Sequence, residues 1–552
     1  MNRITKKIIY IILILSIIKS ILTLTIRTPT TYVDEYIYIK MAQSFFYELS
    51  IKLHGLPTAA YPPLYSIIAS ISFITNDVYM SYTIIKIINS FISSLIIIPS
   101  YFISKEFLDK KKSLIIGTII GILPMNFVFA GIVMAENIFY TLFLTSLYFI
   151  YKSFSEKNYK NDILAGMFIG LTYLAKVSGI SLIIIVIIML LYKIKEGDFY
   201  EIKRKILMGL ITTIIILPWL IRNAIMFSPT LNGILGGVYA GELIVPTPHY
   251  NLNLIYWIIL YLAYILLASG FIVSITNLTN LRAKLQDKNM KILVLITLLT
   301  LLTIIIGGAN HAAKGGIKEI TNLSFLQGRP IGRYIDTVLP ILFITSLISY
   351  YKFNEDKITQ KKLMLLSIPL IIVGSQLLYF QLFPTNNISL TLIGITNIIL
   401  SKLFSKELSI LLITLSIIAI VCLCYKIKKT RFISLILIFC IITNLLGYSA
   451  IIYNAEVFWK DNSQINLSKW IDKNLESNKV ILIDEEYCGD FSKYNEDSLC
   501  SAGKTIIPSS LWNLNPSKIG KIGEEATYII TKKELSEKLI KEDNGVKIYK
   551  IK

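Results

Sequence analysis

Apolar runs rich in Ile and Leu recur through most of this chain, separated by short polar connections. They fall at 8–25, 81–103, 113–131, 136–152, 162–175, 178–193, 206–222, 252–274, 291–308, 335–351, 363–383, 408–425 and 432–452. A helix needs about 20 apolar residues to cross a hydrocarbon layer about 30 Å thick, and most of these runs approach that length. The pattern predicts a polytopic α-helical membrane protein with about 13 transmembrane helices. The first run has no small-residue cleavage site and is followed by many like it, so it reads as a retained helix rather than a signal peptide. The short runs 162–175 and 178–193 read either as two spans or as one broken pair.

The connections sort by charge. Basic residues gather at 3–7, 105–112, 152–160, 193–205, 282–291, 352–362 and 426–431, which all fall on one side if the runs alternate. By the positive-inside pattern that side is cytoplasmic, so the N-terminus is expected inside a cell (plasma) membrane and the C-terminus outside. The outside connections 26–80, 223–251, 309–334 and 384–407 are long and hold most of the Pro, Gly, His and aromatic punctuation. The first, 26–80, predicts an interfacial helix over 35–49, interrupted further on by Pro62-Pro63. Residues 1–452 are expected to form the transmembrane domain. Residues 453–552 change character and predict a small extracytoplasmic α/β domain: helices in "NLSKWIDKNL" and "KKELSEKLIKE", strands in "KVILID", "ATYIIT" and "VKIYKI".

Of 552 residues, 54% are hydrophobic and 16% charged, with a formal net charge of +20. The tail from 453 holds 15 Lys and 16 acids, which leaves 40 basic and 19 acidic residues in the membrane part. The excess is therefore a topology signal and gives no reason to expect nucleic acid. Cys488 and Cys500 lie where the topology permits a disulfide, with two free thiols as the alternative. Cys422, Cys424 and Cys440 lie in apolar runs and read as packing residues.

Candidate chemistry concentrates on the outside connections. Asp34 and Glu35, directly after the first run, would suit the positive end of a helix as readily as catalysis. Glu136, at the outer mouth of the fourth run, tips the balance, because a carboxylate at that depth is costly unless it meets water, a cation or a polar cavity. On the same face lie Lys176, Arg222, Lys314, Lys318, Arg329 and Arg333. Each alone reads as a snorkelling cation; together, on the side that disfavours them, they suit an anionic ligand such as a lipid phosphate. His54, His249 and His311, the chain's only histidines, also fall outside. They suggest a divalent metal with Asp34 or Glu136, without ligand spacing, so no cofactor is fixed. Sequons at Asn322, Asn387 and Asn466 are candidates for glycosylation.

"VDEYIYIKMAQSF", "YPPLYSIIAS", "MAENIFYTLFL", "GLTYLAKVSGI", "LPWLIRNAIMF" and "GRYIDTVLPILF", in that order, resemble the membrane glycosyltransferases of the GT-C superfamily. The likeness is nearest to the branch of protein O-mannosyltransferases and aminoarabinose transferases, and it reaches to about residue 350. It implies a GT-C-like fold and transfer, on the outer membrane face and with inversion, of a sugar from a polyprenyl (dolichyl-type) phosphate donor to a lipid, glycan or protein acceptor. Asp34 matches the family's candidate general base or acceptor-orienting group and Glu136 its second acidic position; Glu35 would start the interfacial helix or contact a metal or acceptor. The Trp-Trp-Asp signature of oligosaccharyltransferases is missing, since "SLWNLNP" does not match it. Inverting displacement needs one carboxylate to take the acceptor's proton, while a phosphate leaving as an anion needs cations rather than a strong acid. Arg222, Arg329, Arg333 and Lys314, with Lys52 or Lys176, are the candidates to hold it. Tyr61, Tyr65 and Tyr334 are candidates to line a sugar pocket. The competing reading is a transporter or flippase of lipid-linked sugars, for which mid-membrane ionisable residues and repeated halves would be expected.

Overall fold

The computed structural model describes residues 3–26, 33–53, 56–75, 77–227, 230, 234, 250–314, 330–353, 357–379, 387–424 and 431–459, and from the tail 470–471, 474–475, 480–483, 518–519, 527–531, 533–543 and 545–551. The chain divides into two compact units. One comprises Met1–Lys19, Ser90–Ala130 and Glu136–Ala450; the other comprises Ser20–Asn89, Gly131–Ala135 and Ile451–Lys552.

Among the described residues nine helices are long and apolar enough to cross a membrane: Met80–Lys105, Val177–Lys195, Tyr200–Met226, Tyr250–Ala268, Lys288–Lys314, Gly332–Lys352, Thr359–Tyr379, Lys406–Leu423 and Phe432–Tyr453. Lys110–Gly121 and Pro124–Gly131 add a tenth as a pair bent by 63°, because a proline cannot continue the hydrogen-bond ladder at that break. The chain is a multi-pass membrane protein. Three further expected spans fall on the helices Arg3–Thr23, Glu136–Ser155 and Tyr159–Ala175.

Within the first unit, polar side chains start several helices at a common end. Asp109 accepts from Lys111 N and Lys112 N, each at 3.0 Å; Asn158 accepts from Lys160 N at 2.9 Å; Asp287 accepts from Met290 N at 3.0 Å. These satisfy amide donors that a helix start leaves over. Ion pairs then join the connections in a ring: Lys152 to Glu106 at 3.2 Å, Lys157 to Asp198 at 2.9 Å, Lys291 to Glu196 at 3.4 Å, and Lys352 to Asp287. Lys352 also lies over the Phe107 ring at 5.7 Å, which closes the circle. Hydrogen bonds from Lys193 and Tyr192 hold the Glu196 carboxyl down at about 2, and Lys352 lowers that of Asp287. Five of the basic connections thus share one end of this unit.

At the same end Asp162 meets Arg204 Nε at 2.7 Å and Lys205 Nζ at 2.9 Å, while Glu201 takes the Arg204 Nη1 at 2.9 Å and Lys205 at 3.0 Å. All four side chains are buried, and Ser153 Oγ donates to Asp162 at 2.5 Å. Two acids and two bases cancel, tying helix Tyr159–Ala175 to helix Tyr200–Met226. Gly166 and Gly170 let those helices touch: a Cβ on Gly166 would stand 2.5 Å from Met208 O. Asp162→Ala leaves a net buried positive charge and is expected to cost about 3–5 kcal/mol, read as a large loss of thermal stability of the detergent-purified chain.

In the second unit, helix Val33–Glu48 packs on helix Leu64–Ser70. β1 (Lys52–Leu53) and β2 (Leu56–Pro57) form a short antiparallel pair between them. Lys86, buried on helix Val78–Ser94, donates to Thr23 O at 2.9 Å and to Ile26 O, so a cation closes the carbonyl end of the first helix. The described tail holds β3 (Val480–Ile483), β4 (Lys518–Ile519), β5 (Tyr528–Thr531), β6 (Lys538–Asp543) and β7 (Val546–Lys550), in the sheet order β4-β3-β5-β7-β6. β3 runs parallel to β4 and β5; β7 runs antiparallel to β5 and β6. The helix expected in "KKELSEKLIKE" is corrected here: 538–543 is a strand. Helix-favouring Lys, Glu and Leu give only a weak preference, which pairing along β7 overrides.

Candidate functional site

The adjacent acids Asp34 and Glu35 open helix Val33–Glu48, and consecutive helical positions point about 100° apart. Their surroundings differ accordingly. Glu35 is fully buried, and its Oε1 accepts the Val133 backbone N–H at 2.8 Å. Its charge is also felt by buried Lys86. Asp34 is half-buried and accepts the Tyr61 hydroxyl on Oδ1 at 2.6 Å. Tyr61 is held in turn by stacking on Tyr38, with ring centroids 4.7 Å apart. Tyr65 packs edge-on against the same Tyr38 ring at 5.1 Å and donates to Asn89 Oδ1 at 3.0 Å. Pro62-Pro63 lies between the two tyrosines and starts helix Leu64–Ser70, which fixes their spacing.

In the other unit Glu136 is the first residue of helix Glu136–Ser155, and it is fully buried. Lys176 faces it from the break between helices Tyr159–Ala175 and Ile180–Lys195, where its backbone is extended at φ −158° and ψ 134°. Lys176 Nζ donates to Glu136 Oε1 at 2.6 Å. The ammonium also lies over the Tyr334 ring at 4.4 Å and the Phe139 ring at 5.7 Å. Arg333 Nε stands 3.8 Å from the same Glu136 oxygen. Glu136 Oε2 is buried and accepts no hydrogen bond among the described residues. One carboxylate is thus embedded between two cations and two aromatic faces, where electrostatic interactions exceed their strength in water.

The turn that carries Arg333 and Tyr334 is itself pinned. Tyr140 OH donates to Arg333 O at 2.9 Å, Tyr261 OH accepts from Ile331 N at 3.2 Å, and Tyr264 OH donates to Asp336 Oδ1 at 2.5 Å. A Cβ on Gly332 would lie 1.6 Å from Asn387 Oδ1, so only glycine fits there. Asn387, expected as a glycosylation site, is fully buried, a correction that removes it from modification.

The remaining candidates make other contacts. Arg222 donates to Asn223 Oδ1 at 2.9 Å and covers the Trp219 ring at 4.9 Å; Lys314 lies over the Tyr250 ring at 5.7 Å; Lys52 pairs with Glu48. His311 packs against Tyr334, with centroids 5.3 Å apart. His54, His249, Lys318, Asn322, Arg329, Asn466, Cys488 and Cys500 fall outside the described residues. Among the described residues no group of three or more His, Cys, Asp or Glu is placed to hold a metal ion, so the described donors do not fit one. Sequence reading missed Asp336, Tyr264 and the Tyr61–Asp34 contact. Asp336 lay inside a quoted motif as an acid in an apolar run, which was its one visible signal.

Residues 60–221 match the family model described as dolichyl-phosphate-mannose-protein mannosyltransferase. No curated protein matches the chain by sequence. Among solved structures, ArnT from Cupriavidus metallidurans in the apo state superposes with a TM-score of 0.57 at 11% identity, over 99% of this chain and 98% of that one. ArnT from the same organism bound to undecaprenyl phosphate gives 0.56 at 12% identity, over 94% and 86%. The oligosaccharyltransferase AglB from Archaeoglobus fulgidus, in complex with an inhibitory peptide and a dolichol-phosphate, gives 0.50 at 11% identity over 94% of this chain and 65% of that one. Residues 60–221 are thus similar in sequence to that mannosyltransferase family, and the chain as a whole has a fold similar to that of ArnT.

Proposed function

We propose that the protein is an inverting glycosyltransferase of the outer membrane face, moving a sugar from a polyprenyl phosphate to a hydroxyl of a lipid, glycan or protein acceptor. The observation that carries this reading is the contrast between the two adjacent acids: Glu35 is sealed on a backbone amide, whereas Asp34 is half-exposed and oriented by Tyr61. Asp34 takes the acceptor proton as the acceptor oxygen bonds to the anomeric carbon. The bond from that carbon to the phosphate oxygen breaks, and the polyprenyl phosphate leaves as an anion. Lys176 and Arg333, around Glu136, supply positive potential for that leaving charge, with Arg222, Arg329, Lys314 and Lys52 as further candidate phosphate contacts. Pre-organised donors of this kind are worth several kcal/mol at a dry site. The mannosyltransferase family match and the ArnT fold favour transfer over transport.

The topology that goes with this reading has about 13 spans, a cytoplasmic N-terminus and an extracytoplasmic tail domain from 453, with the ring of ion-paired basic connections inside. Membranes carrying the full chain, supplied with polyprenyl phosphates bearing a sugar labelled at the anomeric carbon, are expected to form a new glycosidic bond of inverted configuration. Movement of label across the membrane without a new bond would instead establish the flippase.

A further inference from the structure

A buried polar atom without a partner costs about 1–3 kcal/mol, and native proteins leave few of them. Among the described residues, several crowd around a single turn. Asp336 is fully buried; its Oδ1 takes the Tyr264 hydroxyl at 2.5 Å and the Ser389 hydroxyl at 3.1 Å, while its Oδ2 has no hydrogen-bond partner. Asn387 is fully buried, and neither its Oδ1 nor its Nδ2 has one. The two sides meet at Gly332, where a Cβ would stand 1.6 Å from Asn387 Oδ1 and 2.7 Å from Tyr264 OH. Glu136 Oε2, also orphaned, belongs to the carboxylate beside Arg333, the next residue of this turn.

We infer that the Gly332–Asp336 turn carries a polar subsite, formed by Asp336 Oδ2, the Asn387 amide and Glu136 Oε2, which binds the hydroxyl groups of the donor's sugar. Two of its three members are carboxylate oxygens, which accept hydrogen bonds and donate none when ionised. Its ligand must therefore present O–H donors. Asn387 adds one acceptor and one donor, which matches a hydroxyl acting both ways. Glycine at 332 is what allows Asn387 to come so close to the backbone. The inference rests on the transferase reading and adds to it a division of labour: cations for the phosphate, and this acid–amide group for the sugar.

The test measures binding of two lipids to the full detergent-purified chain: undecaprenyl phosphate, and the better bound of its mannosyl and glucosyl esters. Wild type should bind the sugar ester more tightly than the bare phosphate. Asn387→Ala should weaken the sugar ester about tenfold, the worth of one or two hydrogen bonds, and leave the bare phosphate unchanged. Asp336→Asn keeps an acceptor for Tyr264 and Ser389 and so guards against misfolding; it should remove the same increment by replacing an acceptor with a donor. Equal weakening of both lipids, or no change in either variant while wild type binds both, would overturn the subsite and leave the transferase reading standing. Wild type binding neither lipid would overturn both.

Discussion

Asp34→Asn is expected to lower transfer by roughly 10²–10⁴-fold, the usual worth of a general base, in a protein that stays folded. Asparagine keeps an oxygen for the Tyr61 hydroxyl, which reaches Oδ1 at 2.6 Å, so the local geometry has no reason to collapse. What it cannot do is take a proton. The measurement is the initial rate of glycosidic-bond formation per folded molecule. Glu35→Gln gives the control. Glutamine still accepts the Val133 N–H, so the rate per folded molecule should stay largely intact. Tyr61→Phe should fall between them, because the carboxylate would remain but lose its orienting donor. An active Asp34→Asn with an inactive Glu35→Gln would reverse the two roles.

The apolar periodicity was legible because the bilayer enforces it: a spanning segment must satisfy its own backbone and be about 20 residues long, and among the described residues nine of the expected runs overlap helices long and apolar enough to cross. The side-by-side acids were legible too, but not their difference. Glu35 is sealed by Val133, 98 residues away, and no local rule forecasts that. The pairing of Glu136 with Lys176 spans 40 residues and was hidden for the same reason; each looked like an isolated charge because its partner came from another helix. The strand at 538–543 is a different failure. Lys- and Glu-rich composition suggested a helix, whereas Asn544-Gly545, a two-residue hairpin signal directly before "VKIYK", already favoured a strand on its other side. Asp336 was overlooked because a single acid in an apolar run carries no periodicity; burial with Tyr264 and Ser389 is what gives it meaning.

The pair Glu136 and Lys176 allows structural and functional charge to be separated. Both side chains are buried, at 1% and 8% exposure, so removing either one upsets the charge balance of the Glu136–Lys176–Arg333 group in a low-dielectric setting. Glu136→Gln and Lys176→Met are each expected to destabilise the protein by about 3–5 kcal/mol. The double variant should recover most of that loss, because a neutral amide beside an apolar side chain no longer opposes burial, and methionine keeps the contacts with Phe139 and Tyr334. Stability and transfer should then part company. If the cations around Glu136 stabilise the departing phosphate, the double variant folds yet stays slow, by a factor on the order of 10²–10³ for a lost charge-stabilising group. Thermal midpoints in detergent and transfer rates on the four proteins of this cycle decide the matter. A double variant with both wild-type stability and wild-type rate would mean that the pair holds the helices together and nothing more, and would move the phosphate contacts to Arg333 and the other cations.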